Sequence, residues 1–114
     1  MARRKPFYSL KLVKQKVREN DWRATKNAQD GAWFDFEWDL EKMGKCLLKL
    51  NDRDYELNRS CNHFFKSDPF NKEPHIMLDF YKAYNIQDGE DVYMHLYIRE
   101  EDGKLIVNSF HHLE

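Results

Sequence analysis

Residues 92–111 read VYMHLYIREEDGKLIVNSFH, in which two runs of alternating apolar and polar residues flank a turn sequence. Alternation with a period of two is typical of a half-buried β-strand. The turn Glu101-Asp102-Gly103 suits a type I turn closed by a glycine in the left-handed region, which gives a three-residue loop with a bulge. The stretch therefore predicts a β-hairpin whose register is fixed by Gly103.

This register decides which side chains share a face of the hairpin. Pairing Glu100 with Lys104 sets Tyr93 opposite His111, and side chains paired in this way point to the same side. That face is expected to hold Tyr93, His95, Tyr97, Arg99, Leu105, Val107, Ser109 and His111. The opposite face is expected to be apolar, with Val92, Met94, Leu96, Ile98, Ile106 and Phe110. A two-residue turn at Asp102-Gly103 would shift the register by one and separate the polar cluster.

The length and composition predict one soluble domain, residues 1–114. Of the 114 residues, 41% are apolar and 34% charged, as in ordinary globular proteins. No stretch approaches the roughly 20 apolar residues of a membrane span, and the basic start Arg3-Arg4-Lys5 runs into Pro6 rather than into a signal peptide. We therefore expect a cytoplasmic protein with no membrane contact. Cys46 and Cys61 lack the spacing of a zinc or redox pair, and a buried, unreactive Cys46 is expected.

Charge is distributed unevenly along the chain, although the net charge is only −1. Residues 1–26 contain nine Lys or Arg and two acidic residues, whereas the remainder contains ten basic and eighteen acidic residues. Lys11, Lys14, Arg18 and Arg23 could face a phosphate backbone, an acidic protein partner or only solvent. The sequence leaves these three open, with a solvated helix face as the default.

Three helices are predicted in the first half of the chain. Each begins at a residue whose side chain can cap the first turn. The first and third helices carry apolar residues at helical spacing. The second and third are followed by a glycine or an asparagine, which are typical residues at the end of a helix. The expected helices run from Ser9 to about Asn20, from Thr25 through Ala28 to Gly31, and from Asp39 to Asn51, with Ala32–Trp38 left as a connector.

After the third helix the spacing of apolar residues changes from helical to alternating. Two further strands are expected, at Tyr55–Ser60 and at Ile76–Tyr84, the second with Phe80 among its core-facing residues. Between them Cys61–His75 is interpreted as an ordered loop of an active site or a partner contact, and Asp88-Gly89 supplies the next turn. The order predicts an α+β domain, with three helices packed on one face of a four-stranded antiparallel sheet.

The polar face of the hairpin carries groups that could cleave RNA without a metal. The reaction needs a base for the 2′-hydroxyl proton, an acid for the departing 5′-oxygen and cations for the phosphorane charge. Imidazole can act as acid or base near neutral pH, and aromatic rings can stack on bases of single-stranded RNA. An ordinary solvated sheet face is the alternative. No H-x-x-x-H pair or glycine-rich phosphate loop occurs, so neither a metal nor a cofactor is expected. The candidates are Tyr93, His95 and His111 for proton transfer, Arg59, Arg99 and Lys82 for phosphate, and Tyr81 and Tyr97 for bases.

A series of short motifs also follows a characteristic order from about Lys5 to His111. The motifs are Lys5-Pro6, Leu10, Val13-Lys14, Val17, Thr25, Ala28, the helix from Met43 to Leu50, Asn51-Asp52-Arg53-Asp54-Tyr55, Asp79-Phe80-Tyr81, Val92-Tyr93 and Ile106-Val107-Asn108-Ser109-Phe110. Their order across nearly the whole chain resembles the MqsR family, the motility and quorum-sensing regulator toxins of bacterial toxin–antitoxin systems.

The resemblance implies a fold like that of the RelE-type ribonucleases, cleavage of messenger RNA without metal, and an antitoxin protein as partner. No direct binding to DNA is expected. The catalytic tyrosine of the family falls on Tyr93 and its C-terminal catalytic lysine on His111, the two residues that the predicted register pairs. Two other functional positions of the family, a lysine and a glutamine, fall on Leu57 and Leu78.

We therefore expect a messenger-RNA-cleaving endoribonuclease, the toxin of a type II toxin–antitoxin system. In this hypothesis Arg59, on the same strand face as Leu57, replaces the positive charge of the family's lysine. His95 acts as an acid or a base. The alternative is a non-catalytic RNA- or protein-binding domain on the same fold, which has lost the polar residues at Leu57 and Leu78.

Overall fold

In the part of the chain that the structure describes, four strands form one mixed sheet, and three helices cover one of its faces. The structure, a computed structural model, describes residues 6–55 and 77–113. In chain order the elements are α1 (Leu10–Arg18), β1 (Trp22–Ala24), α2 (Lys26–Phe36), α3 (Leu40–Leu47), a 3-10 turn (Asp52–Asp54), β2 (Asp79–Gln87), β3 (Glu90–Ile98) and β4 (Leu105–His112). The strand order is β1-β4-β3-β2. The α+β class is confirmed, but the described sheet includes the unpredicted strand β1 and is not wholly antiparallel, because β1 runs parallel to β4.

Each of the three helices begins after the capping residue that the sequence predicts. A capping side chain accepts a hydrogen bond from a backbone N–H that has no partner within the helix. The Leu12 N–H donates to Ser9 Oγ (3.4 Å), the Ala28 N–H to Thr25 Oγ1 (3.2 Å) and the Lys42 N–H to Asp39 Oδ1 (3.0 Å). Among the residues that the structure describes, no helix is long and apolar enough to cross a membrane.

Helix α2 is longer than predicted, because Gly31 lies inside it rather than at its end. A Cβ atom at Gly31 would lie 2.2 Å from the carbonyl oxygen of Phe110 on β4. The glycine therefore lets α2 pack directly against the backbone of β4, and the helix continues to Phe36. Glu37, the C-terminal capping residue after Phe36, has a left-handed φ of 61°. The prediction of Ala32–Trp38 as a connector is wrong for most of that segment.

Strand β1 is absent from the sequence prediction. It has only three residues, and three residues are too few for an alternating pattern to be visible. The strand predicted at Tyr55–Ser60 lies outside the described residues except for Tyr55, which forms an isolated antiparallel bridge with Tyr81. The predicted loop Cys61–His75 lies outside them entirely.

The loop between β3 and β4 is one residue longer than predicted. The Arg99 N–H donates to the Lys104 carbonyl (2.9 Å) and the Gly103 N–H to the Arg99 carbonyl (2.8 Å), so four residues separate the last pair of the hairpin. Gly103 has the expected left-handed φ, 72°. The other predicted turn, Asp88-Gly89, is confirmed, with both residues at positive φ (54° and 76°) as a tight two-residue hairpin requires.

A bulge in β4 cancels the effect of the longer loop on the register. Next to the loop the pairing is one residue away from the prediction, with Ile98 opposite Leu105. The register then shifts at Asn108, so that His95 lies opposite Ser109 and Tyr93 opposite His111. The two pairs on which the site prediction depends are confirmed. The β4 side chains between the loop and the bulge, Leu105 to Val107, therefore point to the face opposite the predicted one, whereas those of β3 keep their predicted faces.

Buried residues form two clusters, one on each face of the sheet. On the helix side, α1, α2 and α3 pack against Tyr81, Ala83, Val92, Met94, Leu96, Leu105, Val107 and Phe110. On the second face, the cluster contains Leu78, Phe80, Tyr93, Tyr97 and Ile106. The predicted faces of Leu105, Ile106 and Val107 are therefore wrong, whereas Phe80 is buried in a core cluster as predicted. Cys46 is buried on the helix side, as predicted, and burial raises the pKa of its thiol to about 12.

Candidate functional site

A row of three polar side chains crosses the second face of the sheet. Lys82 on β2 pairs with Tyr93 on β3, and Tyr93 pairs with His111 on β4. Directly paired residues of neighbouring strands point to the same side, and neighbouring strands lie about 4.8 Å apart. The backbones of Lys82 and His111 are therefore about 10 Å apart. Tyr93 is 7% exposed, whereas Lys82 and His111 are both partly exposed.

The rings of Tyr93 and His111 are stacked. Their centroids lie 4.9 Å apart with an angle of 27° between the ring planes. His111 Nδ1 lies 2.9 Å from the carbonyl oxygen of His112. A carbonyl can only accept a hydrogen bond, so Nδ1 is the nitrogen that carries the proton in neutral His111. The unprotonated Nε2 is then available as a base.

Backbone contacts hold the end of β4 on which this geometry depends. The His112 N–H donates to Asp35 Oδ2 of α2 (2.8 Å), and the Leu113 N–H donates to the Asp91 carbonyl (3.1 Å). These two hydrogen bonds hold the peptide groups on either side of the His112 carbonyl, which accepts the hydrogen bond from His111 Nδ1. Sequence reasoning missed Asp35 because it lies in the segment left as a connector. Its place four residues after Gly31, on the α2 face that packs on β4, would have been the signal.

A second row lies beside the first and is almost completely buried. It joins Phe80, His95 and Ser109, and the last two are 7% and 8% exposed. The His95 ring packs edge-on against Phe80, with centroids 4.7 Å apart. The structure thus brings together the predicted site residues Tyr93, His95 and His111, and of these three His111 is the one that is partly exposed.

The residues predicted to bind RNA are separated from one another. Arg99 lies beside the hairpin loop, where its Nε and Nη2 donate to both carboxylate oxygens of Asp102 (3.1 and 2.6 Å). This pairing raises the pKa of Arg99 and lowers that of Asp102. Tyr81 is fully buried among the helix-side residues, and this position does not fit the predicted stacking on RNA bases. Arg59 lies outside the described residues, and Lys82 alone joins the row with His111.

The basic first helix packs on the side away from this row. Val13 and Val17 of α1 belong to the helix-side cluster, while Lys11 and Arg18 are exposed. Within residues 6–55 and 77–113, no three side chains of His, Cys, Asp or Glu are grouped so that they could hold a metal ion.

Comparison with models of protein families and with curated proteins finds no match for this chain. The resemblance to the MqsR family therefore stays a prediction.

Proposed function

We propose that the protein is an endoribonuclease that cleaves single-stranded messenger RNA without a metal ion, with His111 as its catalytic residue. The observation that carries this proposal is the stacking of His111 on Tyr93, with Nδ1 bonded to the His112 carbonyl. The arrangement fixes the ring and its tautomer and leaves Nε2 as a proton acceptor at a partly exposed position. A general base of this kind must be held within reach of the proton that it removes.

In this proposal His111 Nε2 takes the proton of a ribose 2′-hydroxyl, which then attacks the adjacent phosphorus. The ammonium group of Lys82, in the same row, stabilises the negative charge of the phosphorane. The departing 5′-oxygen takes its proton from water. The Tyr93 hydroxyl is buried, so Tyr93 acts as a positioning residue through its ring rather than as an acid, and the nearly buried His95 supports Phe80 instead of transferring protons.

We also propose the narrower assignment suggested by the sequence motifs, namely a RelE-like toxin of a type II toxin–antitoxin system in the cytoplasm with a cognate antitoxin protein as partner. The α+β class with helices on one face of the sheet supports this proposal at the level of architecture. The pairing of Tyr93 with His111 supports it at the level of the site.

The proposal is tested by incubating the purified protein with mixed-sequence messenger RNA in EDTA. His111→Ala is expected to lower the cleavage rate roughly 100- to 10,000-fold, the usual contribution of a positioned general base. His112→Ala is the matched control, because His112 is an exposed neighbour whose side chain points to the opposite face. Its rate should stay within about threefold of wild type. Cleavage that persists in His111→Ala would refute the proposed catalytic role.

Two variants at Tyr93 separate a positioning role from proton transfer. Tyr93→Phe keeps the ring stacked on His111, and its cleavage rate is expected to stay near that of wild type. Tyr93→Leu removes the stack and should lower the rate. A large loss in Tyr93→Phe, with the variant folded by circular dichroism, would show instead that the hydroxyl takes part in the reaction.

The second candidate function is a non-catalytic RNA- or protein-binding domain. The near-complete burial of Tyr93, His95 and Ser109 favours it, because buried groups cannot contact a substrate. RNA that is bound but left intact by the wild-type protein, in EDTA and with Mg²⁺, would support this candidate over the nuclease.

A further inference from the structure

We propose that a cationic cleft at the edge of β2 binds a single-stranded segment of RNA and leads it to His111. This inference rests on the proposed nuclease function, because it assigns the RNA path to the same site. The cleft has a volume of about 530 Å³ and lies between the end of α3, the 3-10 turn and β2. Its charged lining residues are Lys49, Arg53, Lys82 and Asp54.

The cleft has an excess of positive charge. Among the described residues, three cations line it against a single carboxylate, and Asp54 Oδ2 already accepts the Asn51 N–H (3.0 Å) in a capping box. Neither Lys49 nor Arg53 forms an ion pair with another described residue. By contrast, five lysines elsewhere on the described surface are paired with carboxylates; they are Lys16, Lys26, Lys42, Lys45 and Lys104. The exposed Lys49 and Arg53 are therefore suited to contact phosphates.

An exposed aromatic ring lies in the same cleft. Tyr84 is 67% exposed, although it lies within a strand and is flanked by buried Ala83. The pairing of β2 with β3 is interrupted between Ala83 and Gln87, where Asn85 has a φ of 50°. This irregularity presents the ring of Tyr84 at the rim of the cleft. Cations beside an exposed aromatic ring are the usual combination for binding single-stranded nucleic acid, because the ring stacks on an unpaired base.

Lys82 connects the cleft with the candidate catalytic row. It lines the cleft and also pairs with Tyr93, the residue on which His111 stacks. A phosphate held by Lys82 would therefore lie within about two strand spacings, or about 10 Å, of the backbone at His111. Lys49 and Arg53 lie on the far side of Lys82 from His111, so they would hold the part of the RNA that is not cleaved.

The cleft is tested by measuring the binding of a fluorescent single-stranded RNA of about 12 nucleotides, with 2′-O-methyl groups that prevent cleavage. The double variant Lys49→Gln/Arg53→Gln is expected to weaken binding about tenfold. Loss of two phosphate contacts should also reduce the salt dependence of binding. The steepness of the plot of log association constant against log salt concentration should fall by about 1.4, because each phosphate contact contributes about 0.7 for single strands. Tyr84→Ala should weaken binding about tenfold, which is within the range for loss of one stacked base.

The matched control is Lys11→Gln/Arg18→Gln, which removes the same charge from exposed positions on α1. Its binding should stay within about twofold of wild type. Equal losses of RNA affinity in the two double variants would refute the cleft as the binding site, because the RNA would then be attracted to positive charge anywhere on the surface. So would equally tight binding of polyglutamate, which has charge but no bases. If the cleft variants weaken RNA binding while His111→Ala cleaves normally, the cleft is supported as an RNA-binding site and the proposed catalytic role of His111 is refuted. If the cleft variants bind RNA normally while His111→Ala no longer cleaves it, only the proposal for the cleft is refuted.

Discussion

The two faces of the sheet differ in what their side chains contact, although the same strands build both. On the helix side, Phe110 is 1% exposed and packs near Phe36 and Trp38. On the second face, the next residue, His111, is partly exposed and stacks on Tyr93. Because consecutive residues of a strand point to opposite faces, adjacent positions here serve different purposes. Both faces bury an apolar cluster, but the candidate chemistry lies on the second face alone.

The largest effect on stability is expected from Phe110→Ala. This change leaves a cavity between β4 and the rings of Phe36 and Trp38. It should lower the free energy of unfolding by about 3–5 kcal/mol. His111→Ala, one residue further, should change it by less than about 1 kcal/mol. Urea unfolding followed by circular dichroism measures both values. Similar losses in the two variants would contradict the division of roles between the faces.

A smaller effect, of opposite sign, is expected from Tyr81→Phe. The Tyr81 hydroxyl is buried on the helix side and has no hydrogen-bond partner among the described residues, and burial raises its pKa. Its ring contacts Tyr55, with centroids 5.8 Å apart, and phenylalanine keeps this contact. Removal of an unsatisfied buried hydroxyl should raise the free energy of unfolding by about 1 kcal/mol.

The control for Tyr81→Phe is Tyr84→Phe, which removes a hydroxyl from the exposed ring three residues further along β2. Its stability should remain within about 0.5 kcal/mol of wild type. RNA cleavage by Tyr81→Phe should also be unchanged. A loss of stability in Tyr81→Phe would mean that the hydroxyl has a partner in the folded protein.

Sequence patterns predicted those parts of the fold that depend on local chemistry. The caps at Ser9, Thr25 and Asp39 and the turn at Asp88-Gly89 need only neighbouring residues, and all of them are confirmed. Gly31 was misread because a glycine that ends a helix and one that allows close packing look alike in the sequence. The distinction depends on the carbonyl of Phe110, which is 79 residues away in the chain.

The candidate site was predictable only in part for the same reason. The pairing of Tyr93 with His111 followed from turn chemistry, although the loop was one residue longer than expected and the bulge at Asn108 compensated for it. A bulge has no sequence signal comparable to that of a glycine turn. The cationic cleft was not predicted, because only the tertiary structure brings Lys49 and Arg53 beside Tyr84 of β2.

The smallest effect is expected from Asp21→Asn, at the junction of α1 with the start of β4 on the helix side. Lys104 and Lys16 donate to the two oxygens of Asp21 (3.0 and 3.1 Å), and these bonds hold the pKa of Asp21 below its usual value. A carboxyl whose pKa is lower in the folded state stabilises the protein above its unfolded pKa, and this contribution is lost as the pH falls through the folded value.

Asp21→Asn should therefore unfold at lower urea concentration than wild type at pH 7, and the difference should shrink as the pH falls below about 4, the usual pKa of an aspartate. Urea midpoints at pH 7 and at about pH 3 measure this change. Asp30→Asn is the control, because it removes a carboxylate from the exposed pair with Lys26 (3.2 Å); such pairs contribute about 0.3–0.5 kcal/mol. A difference between Asp21→Asn and wild type that stays constant with pH would show that the ion pairs of Asp21 do not stabilise the helix side.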